Sequence, residues 1–463
     1  MAATKMRATT SKNALRLPKQ IVRALPVSIG CILMVLFLST ADCFKPSTDV
    51  TNVWKRQLSY QSSLTSGTRF PRKIWQSWKV DPLGFEQRDL NVARTWTAKN
   101  PEYRYEVLTD HNDLHYVETY FGPAGFNRLD IVYMYRSLGA KIVKADLLRY
   151  LVMYVEGGVY ADIDVEALRP IARFIPARYK EKDVDMVIGV EIDEPEYNQH
   201  PILGRKSQSF CQWTFMCKPQ LPVMMRLIDN ILRWLNDVAK KQRVPISEIV
   251  LDFDEVIGGT GPSAFTRAVL AEMSARTRQT VKWDTFHDMS ESKLVGSILV
   301  LPVEAFAAGQ GHSDSGNHDA RNALVKHRYH ASKWPTQHPR YKHPVYGEVE
   351  TCNWKPECVK EWDANKAAFD ALSPEEQAKS IADHEKKTAD AKAEEERKIK
   401  ELGAALQKAA EEKAAAEKLA AEEKMAAEEK QAAEDKQAAD QMAFPEKKLV
   451  TDAKLLPAQF PPL

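Results

Sequence analysis

The sequence predicts an α/β layered fold built on a mainly parallel central sheet, and three observations support this. Short apolar segments of strand character, at 73–78, 159–165, 184–190 and 298–302, alternate with longer segments of helical period. The segment 142–155 is apolar nearly all round, as expected of a helix buried against a sheet. Apolar residues make up 44% of the 463, enough for a sizeable core and too many for a disordered chain. Strands interleaved with helices favour parallel pairing, and ligands in such sheets bind beyond the carboxyl ends of the strands.

Each element has its own pattern. Lys73-Ile-Trp-Gln-Ser-Trp78 suits an early strand. Residues 130–154 read as helical with a break near Gly139, and 221–240 places Met224, Leu227, Ile228, Ile231, Leu232 and Leu235 at helical spacing.

Charge and cysteine usage narrow the function class. Sixty-five Lys and Arg against 63 Asp and Glu leave a formal charge of +2, which gives no electrostatic case for nucleic acid. Six Cys, with no Cys-x-x-Cys pair, exclude a disulfide scaffold and a zinc knuckle of common spacing. Cys352 and Cys358 both fall in the region expected below to be lumenal, where a small disulfide loop can form; Cys211 and Cys217 could equally pair or stay buried.

The two ends differ from the middle. Residues 1–23 carry Lys5, Arg7, Lys12, Arg16, Lys19 and Arg23 and no acid, followed by an uncharged run over 24–41. Such a run spans about 27 Å as a helix, close to a thin secretory-pathway bilayer. The flanking charge predicts a type II signal anchor, with 1–23 cytosolic and the bulk of the chain lumenal. A cleaved signal peptide is the rival, since Ser39-Thr40-Ala41 offers a small-residue site. Residues 42–68 read as a Ser/Thr-rich stem. A catalytic domain is expected over 69–346, with an extension over 347–372. From 373 to 441 the composition turns to Ala, Glu and Lys, with Ser373-Pro374-Glu375-Glu376 as a helix start. A six-residue repeat, seen at 425–430 and 431–436, does not return to one helix face. A long solvated helix is therefore preferred to a coiled coil, with a flexible tail over 442–463.

Three Asp-x-Asp motifs occur: Asp162-Ile-Asp164, Asp183-Val-Asp185 and Asp252-Phe-Asp254. The first follows Gly157-Gly158 and falls in a strand-like run that puts Tyr160, Asp162 and Asp164 on one face. Adjacent carboxylates raise one another's pKa unless a cation lies between them, and oxygen ligands suit a hard divalent ion. The preceding apolar helix carries Asp146 and Arg149 three residues apart. Charged groups so buried must be paired, either with each other or with a polar ligand.

Lys144-Ala-Asp-Leu-Leu-Arg-Tyr150 and Glu156-Gly-Gly-Val-Tyr-Ala-Asp-Ile-Asp-Val165 resemble the signature of the family 32 glycosyltransferases. Phe70-Pro-Arg-Lys-Ile-Trp-Gln-Ser-Trp78, Thr95-Trp96, Asn100-Pro-Glu-Tyr103, Phe210-Cys-Gln-Trp-Thr214, Thr260-Gly-Pro262 and Val325-Lys-His327 with Trp334 are similar to segments of its mannosyltransferase branch. The resemblance implies a GT-A-like nucleotide-sugar-binding fold and manganese, with transfer of mannose from GDP-mannose to a mannose-terminated N-glycan in α-1,6 linkage at the Golgi membrane. It implies metal binding and catalysis by Asp162 and Asp164, with His327 as a further ligand. It also implies donor contacts from Trp75, Asp146, Arg149, Tyr160 and Asp162. His330 departs from the family, which commonly has Gly there. Glu191, Asp193 and Glu194 follow a strand and read as solvated loop acids, with contact to acceptor hydroxyls as the alternative; Trp213 reads as either an acceptor platform or core, and Gly309-Gln-Gly-His312 as a phosphate-covering loop or a simple turn. Alternatives are a family 32 relative acting on another glycan or a sphingolipid head group, and a non-catalytic Golgi scaffold whose C-terminal helix recruits partners.

Overall fold

The computed structural model describes residues 69–331 and 338–442. The expected cytosolic tail, anchor, stem, final tail and Trp334 lie outside the described residues. No helix among the described residues is long and apolar enough to cross a membrane. The chain forms two compact units, one running to 342 and including 348–363, the other made of 343–347 and residues from 364 on.

The first unit is an α/β layer structure. Its main sheet has the order β2 (Arg104–Thr109), β1 (Lys73–Trp78), β3 (Gly158–Ala161), β7 (Thr214–Cys217), β5 (Met186–Asp193), β9 (Ile298–Leu301), β8 (Lys293–Val295), with β6 (Gln208–Phe210) paired to β5. The β1–β2, β1–β3 and β5–β9 ladders are parallel. β7 runs antiparallel between β3 and β5, and β8 antiparallel to β9. Five main strands thus share one direction, so the sheet is mixed and mostly parallel. The reversal at β8 follows from its connection. Gly296 and Ser297, at φ +55° and +64°, make a two-residue turn of the kind that only joins antiparallel strands.

α1 (Gln87–Lys99), α2 (Asp113–Phe121), α3 (Leu129–Ser137) and α4 (Lys141–Val155) come before β3. The expected break near Gly139 separates α3 from α4. α4 is the buried helix, and Leu147, Tyr150, Leu151, Met153 and Val155 are fully covered. α5 (Pro222–Gln242) turns one stripe inward, including Met224, Leu227, Ile228, Ile231, Leu232 and Leu235. α6 (Phe253–Gly259), α7 (Pro262–Thr277) and α8 (Val303–Ala307) complete the packing, and β4 (Val165–Ala167) pairs with β10 (Val325–His327) in a separate ribbon. The strand expected over 159–165 is therefore two strands, β3 and β4, with the aspartates in the turn between them. Cys352 and Cys358 form a disulfide, while Cys211 and Cys217 are free and buried.

After α9 (Pro356–Asp370), α10 (Pro374–Met442) lies in the second unit and is one helix of 69 residues. It starts at a capping box in which Ser373 Oγ accepts from Glu376 N and Glu376 Oε2 accepts from Ser373 N. Lys398 pairs with Glu394 in the order that best supports a helix, whereas Lys392–Glu396, Lys408–Glu412 and Lys413–Glu417 run in the weaker order. Ile399, in the short apolar seam, is 63% exposed.

Candidate active site

The site is made by a sharp entry into β3 and a turn out of it. Gly157 and Gly158 hold φ of +62° and +97°, and an added Cβ would lie 2.7 Å from Cys217 O and 2.6 Å from Lys73 O respectively. Only glycine fits that approach. β3 then runs between β1 and β7, and Val165 N donates to Asp162 O (3.0 Å), closing a turn over Asp162–Asp164. Asp162 N donates to Trp213 O and Gln76 Nε2 to Asp162 O, each at 2.9 Å. Beyond the turn, α1 holds β4. Trp96 Nε1 donates to Val165 O (2.7 Å), Ala167 N to Thr95 Oγ1 (2.9 Å) and Ile171 N to Asn100 Oδ1 (2.7 Å). These three side chains are scaffolding for the turn.

β10 returns antiparallel to β4 with His327 opposite Val165. Ligand atoms of Asp162, Asp164 and His327 all lie within 4.8 Å of one another. His327 Nε2 is 3.3 Å from Asp164 Oδ1, and Asp164 Oδ2 accepts from His330 N and Ala331 N at 2.9 Å each. Asp162 Oδ1 accepts from Arg149 Nη2 (2.7 Å) and Tyr160 OH (3.0 Å), while its Oδ2 takes no hydrogen bond among the described residues. Burial raises the Asp162 pKa, opposed by Arg149 and reinforced by Asp164. Burial acts the same way on Asp164, but the His327 ring and the Ala331 N–H outweigh it and hold that carboxyl at about 2. His327 Nδ1 is buried without a hydrogen-bond partner among the described residues. Two carboxylate oxygens, one of them the unshared Asp162 Oδ2, and one imidazole nitrogen are a donor set that fits a divalent cation.

Behind the turn, Arg149 Nη1 donates to Asp146 Oδ1 and Thr260 Oγ1 to Asp146 Oδ2, both at 2.7 Å. Asp146 is 2% exposed with both oxygens engaged, and Arg149 is 3% exposed. Burial opposes the Arg149 charge, but Asp162, Tyr160 and Asp146 keep its pKa above the ordinary value. The pair expected to face a ligand thus braces Asp162 from within. Tyr160 is buried, its hydroxyl 2.9 Å from Ser77 Oγ. Trp75, 5% exposed, packs edge-on to Tyr116 and leaves no open face for a base.

Three acids depart from the expectation of solvated loops. Glu191 and Asp193 belong to β5. Glu191 accepts from Trp213 Nε1 (2.7 Å) and Ser209 Oγ (3.3 Å), and burial raises its pKa. Asp193 accepts from Trp283 Nε1 (2.6 Å) and Asp288 N (2.8 Å), and Glu194 from Ser313 N (2.7 Å). Trp213 is 4% exposed, and its ring centroid lies 4.5 Å from that of His327. His327 stacks at 3.8 Å on Tyr329, a contact with no signal in the sequence. His330 Nε2 lies 2.9 Å from Asp89 Oδ1, so the residue that departs from the family ties this loop to α1. The Gly309–His312 segment is a tight turn, with Gln310 N and Gly311 N both donating to Ser315 Oγ. The other two motifs have structural work. Asp185 pairs with Lys218 and Arg276, and Asp252 caps α6.

The model of a glycosyltransferase sugar-binding region containing the DXD motif matches residues 86–182. That span holds Asp162-Ile-Asp164 and stops short of Asp183 and Asp252. The chain belongs to glycosyltransferase family 32. It is 30% identical over 281 residues to the initiation-specific alpha-1,6-mannosyltransferase of Schizosaccharomyces pombe, covering 60% of this chain and 66% of that one. The protein of the same name in Candida albicans is 28% identical over 296 residues, covering 60% and 76%. Among solved structures, the PaToxG glycosyltransferase matches with a TM-score of 0.30 at 14% identity, over 49% of this chain and 82% of that one.

Proposed function

We propose that this family 32 chain transfers mannose from GDP-mannose to a mannose-terminated N-glycan, forming an α-1,6 linkage with manganese at the site. The observation that carries this is the meeting of Asp162, Asp164 and His327 within 4.8 Å at the end of β3. Asp162 through Oδ2, Asp164 through Oδ1 and His327 through Nε2 would hold the metal. When bound it would supply charge neutralisation at the leaving diphosphate. Arg149 fixes Asp162 from behind and opposes the rise in its pKa that burial causes, and the His330 and Ala331 N–H groups fix Asp164. The curated relatives named as alpha-1,6-mannosyltransferases support mannose and the linkage.

The same proposal puts the enzyme in the Golgi membrane as a single-pass type II protein, from the basic 1–23 and uncharged 24–41 segments. α10, with charged side chains exposed along its length, would serve as a docking surface for other Golgi proteins. The test is to incubate the purified lumenal region with a panel of nucleotide sugars and an oligomannose acceptor, with manganese or with chelator. The expected result is manganese-dependent transfer from GDP-mannose alone. Transfer from another donor would overturn the mannose assignment, and no transfer or hydrolysis from any donor would overturn the enzymatic one. Protease added to sealed vesicles should spare the catalytic unit; digestion there would reverse the topology.

A further inference from the structure

Tyr329 stands out among the aromatic side chains. It is 58% exposed, although it neighbours a metal-ligand set that is mostly covered. Its backbone sits at φ +51°, an uncommon conformation for a bulky residue and one held only where the surroundings impose it. The surroundings here are specific. On one side Arg328 N donates to Asp164 O (3.0 Å) and the Arg328 guanidinium clamps Glu166. On the other, His330 N and Ala331 N donate to Asp164 Oδ2, and His330 Nε2 reaches Asp89. The chain is pinned before and after Tyr329, and the tyrosine is held out between the pins.

One ring face lies against His327 at 3.8 Å, with the planes 30° apart, and His327 in turn lies against Trp213. Trp213, His327 and Tyr329 thus form a stack that leads from the core, past the metal-ligand nitrogen, to an open aromatic face. The inner end of the same stack holds Glu191, because Trp213 Nε1 donates to that carboxylate at 2.7 Å. Glu191 itself is oriented by Trp213 Nε1 and Ser209 Oγ, one donor per oxygen, so each oxygen keeps a lone pair for another donor. A flat apolar face joined through one aromatic stack to a fixed, partly buried carboxylate is the chemistry that receives a sugar ring. The face covers the C–H side and the carboxylate accepts from hydroxyls.

We infer that Tyr329 and Glu191 form an acceptor subsite, in which the open face of Tyr329 stacks on the terminal sugar of the acceptor glycan and Glu191 accepts from one of its hydroxyls. This rests on the sugar-transfer reading for the identity of the ligand. The stack also gives a reason for the strain at Tyr329, since it keeps the platform in register with His327 and so with the reacting end of the donor. Neither residue is needed to complete the Asp162, Asp164 and His327 set.

The test uses the full chain and mannotriose as the probe, with binding followed by saturation-transfer NMR and transfer followed by steady-state kinetics. Tyr329→Ala is expected to weaken mannotriose binding and raise its KM by roughly tenfold or more, with the KM for GDP-mannose unchanged. Tyr329→Trp should restore binding, because only a flat apolar face is required. Glu191→Gln should weaken mannotriose binding without altering manganese affinity measured by calorimetry. Unchanged mannotriose binding in Tyr329→Ala, or a matching rise in the KM for GDP-mannose, would overturn the subsite. If the wild-type chain binds mannotriose through Tyr329 yet transfers no sugar, the subsite stands and the transferase reading falls.

Discussion

Arg149 and Asp162, 13 residues apart in the chain, meet through Nη2 and Oδ1 at 2.7 Å. The other arm of the same guanidinium holds Asp146 at 2.7 Å, and Thr260 closes the far side of Asp146. A helix interior is thereby joined to the Asp162–Asp164 turn by one buried cation. A buried network of this kind is costly to break because each lost partner strands a charge.

Replacing Arg149 with Met should therefore destabilise the fold by about 3–5 kcal/mol, the usual cost of stranding a buried ionic partner. Arg149→Lys should recover only part of this, since an ammonium lacks the planar fork that spans both carboxylates. Urea unfolding followed by circular dichroism measures it. A midpoint unchanged in Arg149→Met would mean that the two carboxylates are neutral in the folded chain.

Asp162→Ala and Asp164→Ala should each lower sugar transfer by about 10²–10⁴-fold through lost transition-state stabilisation. Asp183→Ala, in a 3-10 turn away from the site, should leave it near normal. Transfer assays at saturating manganese give the comparison, and near-normal turnover in either site variant would remove the metal assignment.

On the proposed metal set, His327→Ala should raise the manganese concentration needed for half-maximal transfer while the protein stays folded, because the ring would supply one donor of three. A melting curve beside a manganese titration separates the two contributions. If the titration is unmoved in a well-folded variant, His327 serves only as the middle of its aromatic stack.

Glu194 gives a pH-dependent expectation of definite sign. Burial, and a hydrogen bond shared with Glu196, raise its pKa to about 7. The folded chain thus prefers the protonated carboxyl. The stabilisation is fully present below the unfolded value of about 4.3 and is lost as pH rises through about 7. Thermal melting of the wild type should fall between those limits, and Glu194→Gln should flatten the fall. An identical slope in the variant would assign the dependence to another group.

How much the sequence disclosed can be followed element by element. β1 occupies the very residues whose composition predicts it, and α3 and α4 separate near Gly139, because short apolar runs and helical periodicity are local properties. Asp162 and Asp164 were legible through Gly157-Gly158, since a backbone forced to positive φ announces a tight turn. The reason for their meeting was misjudged. Alternation along one strand would have faced them alike, whereas a turn between β3 and β4 brings them together.

Local sequence by itself determined the strand–helix alternation, the buried charged helix, the choice of Asp162-Ile-Asp164 among three motifs and the long charged helix of α10. Only the tertiary structure decided that β7 runs against its neighbours, that Asp146 spends both oxygens on Arg149 and Thr260, that Glu191 lies under Trp213, and that Tyr329 stands open beside His327. Two of these contacts join residues far apart in the chain, 22 between Glu191 and Trp213 and 114 between Asp146 and Thr260. Periodicity reports which face of an element is apolar; it carries no information on which distant side chain that face will meet. That is set by how the layers pack, and the chemistry of this site depends on it.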